Sequence, residues 1–132
     1  MRLRGITVLL VEDDVDNLEL LCSFLEAEGA RTFSAGSMAA ALKQTAAQEI
    51  DVVISDLQLA DGDGCSLLGE LRRRCGKPEL PAIAVTGYSE LQWRREAAIC
   101  GFTRYAVKPY SLERLVDWIV ELSDRPQSAV SA

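Results

Sequence analysis

A chain of 132 residues with 20 acidic and 14 basic side chains has the size of one domain, able to bury roughly two thirds of its unfolded surface around a single core. Its net charge of -6 offers no basic footprint for a phosphate backbone, which argues against nucleic-acid binding. Histidine is absent, so this chain cannot itself carry a phosphoryl group on an imidazole ring.

The opening run ITVLLV ends in acids, lacks a small-residue cleavage site and is far too short to span a bilayer. No membrane association is expected, and the location expected is cytoplasmic. Cys22, Cys65, Cys75 and Cys100 are scattered with no C-x-x-C pair. Neither a zinc site nor a dense disulfide framework is signalled, and the expectation is four reduced, partly buried thiols.

Short apolar runs alternate with helix-period segments five times, the pattern of an α/β fold whose parallel sheet is covered on both faces. Strands are predicted near residues 6–11, 31–35, 51–55, 82–86 and 103–107. The first helix sets Val15, Leu18, Leu21, Cys22 and Leu25 on one stripe, has Asp16 and Glu19 at capping-box spacing, and stops at Gly29. The second starts at Ser37 and repeats Met38, Ala41, Leu42 and Thr45 at helical spacing.

The third follows DGDG with Leu68, Leu71 and Cys75 inward, and GKPELP breaks it. In the fourth, Ser89 and Gln92 stand at capping-box spacing and Gly101 closes the helix. Its apolar stripe of Leu91, Ala98 and Ile99 is thin and interrupted by Trp93, Arg94 and Arg95, so it is expected to be the most loosely held. The fifth starts at Ser111 and buries Leu112, Leu115, Val116, Ile119 and Leu122. These elements assign one domain to residues 1–123 and a frayed tail to 124–132, where DRPQSAVSA cannot pack a core.

Four polar signals fall where predicted strands end: Glu12-Asp13, Asp56, Thr86 and Lys108-Pro109. In an open parallel sheet, ligands bind outside the carboxyl ends of the strands, which would gather these residues into one pocket. Paired carboxylates at 4 Å repel by about 4 kcal/mol at an effective dielectric of 20, so such a cluster implies a shared cation. Magnesium accepts hard oxygen ligands and keeps waters and phosphate oxygens in its shell. Asp13 and Asp56 are the expected direct ligands, with Glu12 acting through water. Lys108 and Thr86 would stabilise charge developing on a phosphoryl group taken up by Asp56.

Taken together, VLLVEDDVDN, SDLQLADGDG, AVTGYSE and YAVKPYSLERL resemble the receiver domain of bacterial two-component response regulators, over about residues 5–122. The resemblance implies a flavodoxin-like, doubly wound five-stranded sheet of order 2-1-3-4-5 with five helices. It makes Asp56 the phosphoacceptor, adds the Gln58 backbone carbonyl to the Mg²⁺ ligands, and sets Thr86 and Lys108 on the phosphoryl group. It gives Tyr105 the aromatic switch position, to turn inward as Thr86 is drawn to the new charge. It also implies a cis Lys108–Pro109 bond. The donor would be a sensor histidine kinase or a histidine phosphotransfer protein, and catalysis would be confined to the chain's own phosphorylation and slow dephosphorylation.

Three departures stand out: Ala60 replaces the usual proline, Glu12 the commoner aspartate, and Gln58 and Tyr88 occupy the positions that tune hydrolysis. Because the chain ends soon after the fifth helix, its output is expected to be a downstream protein contact or a further phosphotransfer. The surface expected for it is the fourth helix, fifth strand and fifth helix, where Trp93, Arg94, Tyr105 and Trp118 would gather, although Trp118 fits a core edge better than an interface. AVTGYSE resembles receivers of hybrid kinases, so a phosphorelay intermediate stands beside a stand-alone regulator, and homodimer formation is left open. A metal-dependent phosphohydrolase, or a nuclease-like centre of Glu12 with Asp61 and Asp63, is the alternative from another class. It lacks an insertion for a substrate cap.

Overall fold

The computed structural model describes residues 1–46 and 48–123; the tail predicted at 124–132 lies outside them. In chain order the elements are β1 (Thr7–Val11), α1 (Val15–Ala27), β2 (Arg31–Ala35), α2 (Met38–Thr45), β3 (Val52–Asp56), β4 (Gln58–Leu59), β5 (Gly62–Asp63), α3 (Gly64–Cys75), β6 (Ala82–Thr86), α4 (Leu91–Cys100), β7 (Arg104–Val107) and α5 (Leu112–Ser123). β2-β1-β3-β6-β7 form one parallel sheet. Counting only its strands, the order is the expected 2-1-3-4-5. The sequence reading missed the two-residue antiparallel pair β4–β5, too short to carry an alternation signal.

β3 and β6 are buried along their whole length, as strands covered on both faces must be. One core packs Leu9, Val11, Val53 and Ala84 with Leu67, Leu68 and Leu71 of α3. The opposite core packs Leu10, Ile54, Ile83 and Ala106 with Leu21 and Leu25 of α1 and Leu115, Val116 and Ile119 of α5. The period-2 alternation of each strand thus feeds two cores from one sheet.

Several local expectations are corrected. Val15 is 64% exposed rather than part of the α1 stripe. The α1 cap is Asp14, whose side chain accepts from the Asn17 N–H at 3.1 Å, not Asp16. α4 has Glu90 at its N-cap with no side-chain hydrogen bond, so Ser89 and Gln92 form no capping box. Its supposed stripe faces outward: Leu91 is 57% and Ile99 85% exposed, and Ala97 is the buried residue. Short stripes at 3.6 spacing fix a face but not which face, and here the sheet chose Ala97.

The cysteines also depart from expectation. Cys65, in the first turn of α3, is disulfide-bonded to Cys100, the last residue of α4, with 5.6 Å between their Cα atoms; Cys22 and Cys75 are free. A pair 35 residues apart carries no local spacing signal, and only the packing of α3 against α4 brings it together.

Candidate functional site

The register of the sheet assembles the site. Val11 pairs with Ser55, Asp56 with Val85, and Thr86 with Val107. Glu12, Asp56, Thr86 and Lys108 therefore leave neighbouring strands at one edge, with strand spacing of about 4.8 Å. Gly64 closes the floor beneath. A Cβ there would stand 2.5 Å from the Asp56 carbonyl oxygen and 3.2 Å from the Leu57 Cα, so only glycine lets α3 begin so close to the strand.

Lys108 Nζ donates to Glu12 Oε2 at 2.7 Å and to Asp56 Oδ2 at 2.8 Å. The Gln58 N–H donates to Asp56 Oδ1 at 3.1 Å and the Asp14 N–H to Glu12 Oε1 at 3.2 Å. Glu12 and Asp56 are nearly buried and Thr86 is fully buried, whereas Asp13 is exposed. Burial alone would lower the Lys108 pKa, but its hydrogen bonds to Asp56 and Glu12 outweigh that and hold the ammonium above the ordinary lysine value. Burial lifts the Glu12 carboxyl above the usual glutamate value, against the pull of Lys108 and the Asp14 N–H. The pairing of Lys108 with Glu12 as well as Asp56 was not anticipated; nothing local signals a contact across 96 positions.

Glu12, Asp13 and Asp56 each bring a carboxylate oxygen within 4.8 Å of the others. Three carboxylates facing one ammonium leave an excess of negative charge, and their oxygens are hard donors, so the residues fit a divalent cation of the magnesium type.

Thr86 Oγ1 accepts from the Tyr88 N–H at 3.2 Å, and the Tyr88 carbonyl accepts from the Tyr105 hydroxyl at 2.6 Å. The Arg94 guanidinium stands 4.7 Å from the Tyr105 ring centroid, and the Tyr88 and Trp93 rings stack at 4.9 Å. The Tyr88 hydroxyl donates to Gln58 Oε1 at 3.0 Å, a bridge that sequence reasoning missed. Trp118 does not join this cluster; it packs against the opposite core. Lys108–Pro109 is cis.

Asp61 and Asp63 do not join the acidic group. Asp61 accepts from the Met38 and Ala39 N–H groups at 2.8 and 3.0 Å, and Asp63 from the Ser66 N–H at 2.8 Å. Both serve helix N-termini, which removes the nuclease-like arrangement. Beside Lys108 runs a groove of about 430 Å³ lined by Asn17, Leu20, Leu21, Pro109, Tyr110 and Leu112. No helix among the described residues is long and apolar enough to cross a membrane.

Residues 8–120 match the response regulator receiver domain family, and the chain belongs to that family. It is 31% identical over 111 residues to the transcriptional regulatory protein ZraR of Escherichia coli, covering 84% of this chain and 25% of that protein. It is 37% identical over 112 residues to the response regulator protein FleR of Pseudomonas aeruginosa, covering 85% of this chain and 23% of that one. The chain thus spans about a quarter of these relatives. Among solved structures, the CheY-like receiver domain protein from Methanospirillum hungatei superposes with a TM-score of 0.83 at 26% identity, covering 94% of this chain and 98% of that chain. The fold and family are those of signalling receivers of two-component systems.

Proposed function

We propose that Asp56 accepts a phosphoryl group from a phosphohistidine on a partner, a sensor histidine kinase or a histidine phosphotransfer protein, in a cytoplasmic signalling pathway. The observation that carries this reading is the Lys108 ammonium shared between Asp56 and Glu12, beside a third carboxylate. An Asp56 oxygen forms the new P–O bond as the P–N bond to the partner's imidazole breaks. Lys108 then exchanges its contact with Asp56 for one with a phosphoryl oxygen, a change open to a compact point charge on a flexible stem. Asp13, Asp56 and the Gln58 carbonyl would hold Mg²⁺, with Glu12 acting through water. When bound, the metal supplies charge neutralisation at the phosphoryl oxygens. The groove beside Lys108, with Leu20 60% exposed, gives an apolar approach for the donor.

Thr86 Oγ1 accepts from Tyr88 and so retains its own proton for a phosphoryl oxygen. Movement of Thr86 toward that oxygen pulls the Tyr88 backbone, whose carbonyl holds the Tyr105 hydroxyl. The chain of contacts Thr86–Tyr88–Tyr105 thereby couples the phosphoryl group to the face of α4, β7 and α5, which would engage a downstream protein. Incubation with a small phosphodonor and Mg²⁺, read by intact mass, is expected to add one phosphoryl group to the wild type and none to Asp56→Asn. Equal uptake by the two would end this reading.

A further inference from the structure

The Cys65–Cys100 bond joins the first turn of α3 to the end of α4. Cys65 follows Gly64, the residue seated on the Asp56 carbonyl, and Cys100 ends α4. Apart from this bond α4 is weakly held, burying Ala97 and lacking a side-chain cap at Glu90. Both sulfurs belong to half-buried residues, open enough for attack by a small thiolate. Cys65 neighbours the exposed Ser66 and Asp63. In the cytoplasmic location proposed above, a disulfide would be transient, catalytic or redox-sensing rather than structural.

We propose that Cys65 and Cys100 form a reversible dithiol–disulfide site that exchanges with a low-molecular-weight thiol/disulfide couple, and that its oxidation pins α4 to α3. In the reducing direction a small thiolate attacks one sulfur of the pair, forming a mixed disulfide and releasing the other cysteine as a thiolate. A second small thiolate attacks the mixed disulfide, releasing the small disulfide and the remaining cysteine. The two protons given up by the small thiols end on Cys65 and Cys100. Two small thiols are oxidised and one protein disulfide is reduced. Cys22 and Cys75 take no part, being on α1 and at the far end of α3.

Because α4 carries Trp93 and Arg94, oxidation state would also set the freedom of the proposed output face. That consequence rests on the phosphoryl reading, whereas the site itself does not, and its test needs no phosphorylation.

The full chain is equilibrated across ratios of reduced to oxidised glutathione, unfolded in alkylating reagent and weighed, with amide exchange followed over residues 91–100. Uptake of two alkyl groups at the oxidising end and four at the reducing end is expected, with a midpoint between. Exchange in α4 should be about tenfold faster after reduction, equally so in Asp56→Asn and in Cys22→Ser/Cys75→Ser. Cys65→Ser/Cys100→Ser should exchange at the reduced rate whatever the ratio. Four alkyl groups at every ratio, two at every ratio, or α4 exchange indifferent to reduction of the unmutated chain would each overturn the proposal. The unmutated comparison decides even if the double variant folds poorly.

Discussion

Helices α4 and α5 cover opposite faces of the sheet beside β7 and are held in opposite ways. α5 buries Leu115, Val116 and Ile119 almost completely against Ile83, Val85 and Ala106, and its first turn is capped by Ser111, whose Oγ accepts from the Arg114 N–H. α4 buries Ala97, leaves Leu91 and Ile99 in solvent, and has no side-chain cap. Since stabilisation scales with apolar area removed from water, at roughly 25 cal/mol per Å², one helix is fixed by its core and the other by a few contacts at its margins. On the proposed reading, a helix that shifts on signalling would need that inequality, which comes from side-chain choice within an otherwise regular fold.

The sharpest way to break the comparison is truncation. Ile119→Ala should lower the unfolding free energy by about 2–5 kcal/mol, whereas Ile99→Ala should stay within about 0.5 kcal/mol. Denaturant midpoints with matched slopes check both; comparable losses would mean that α4 is anchored through Ile99 after all. Next in size, Thr86→Ala should uncouple the two faces of the switch. Phosphorylated Thr86→Ala is expected to leave the Tyr105 fluorescence or NMR signal unmoved, and a wild-type shift in that variant would defeat the relay through Tyr88.

A cap can also be added. Glu90 has extended backbone, the geometry in which a shorter acid accepts from the first helical N–H groups, so Glu90→Asp should stabilise by about 1 kcal/mol and slow amide exchange across α4. No change in either would show that the missing cap is not what loosens the helix. The smallest effect concerns a helix that is doubly capped. Hydrogen bonds from Ala39 and Met38 hold the Asp61 carboxyl below its ordinary value of 3.8. A depressed folded-state pKa contributes stability above the unfolded value, and that contribution is lost as pH falls through the folded one. The deficit in melting temperature of Asp61→Ala should therefore be present near neutrality and shrink below about pH 4. A deficit that persists undiminished in acid would assign the loss to packing.

Much of this could be read without coordinates. Short apolar runs ending in acids, a threonine and a lysine placed Asp56, Thr86 and Lys108 at strand ends, because an apolar run and the polar residue that ends it are local properties of the chain. Gly29, Gly76 and Gly101 stop their helices with positive φ, as the glycines at those points implied. The errors gather where a local pattern is compatible with two environments. Val15 continues the α1 stripe by spacing yet lies beyond the reach of the sheet, and the α4 stripe has too few apolar residues to choose its own face.

What the sequence determined by itself was the alternation of strands and helices and the chemical character of each strand end, since both depend on neighbours within a few positions. Tertiary structure alone decided that Lys108 is shared with Glu12, that the Tyr88 carbonyl receives the Tyr105 hydroxyl, and that Cys65 meets Cys100. These contacts join residues 17 to 96 positions apart, and no local preference encodes them. They exist because burying the two faces of one sheet fixes where each helix must lie.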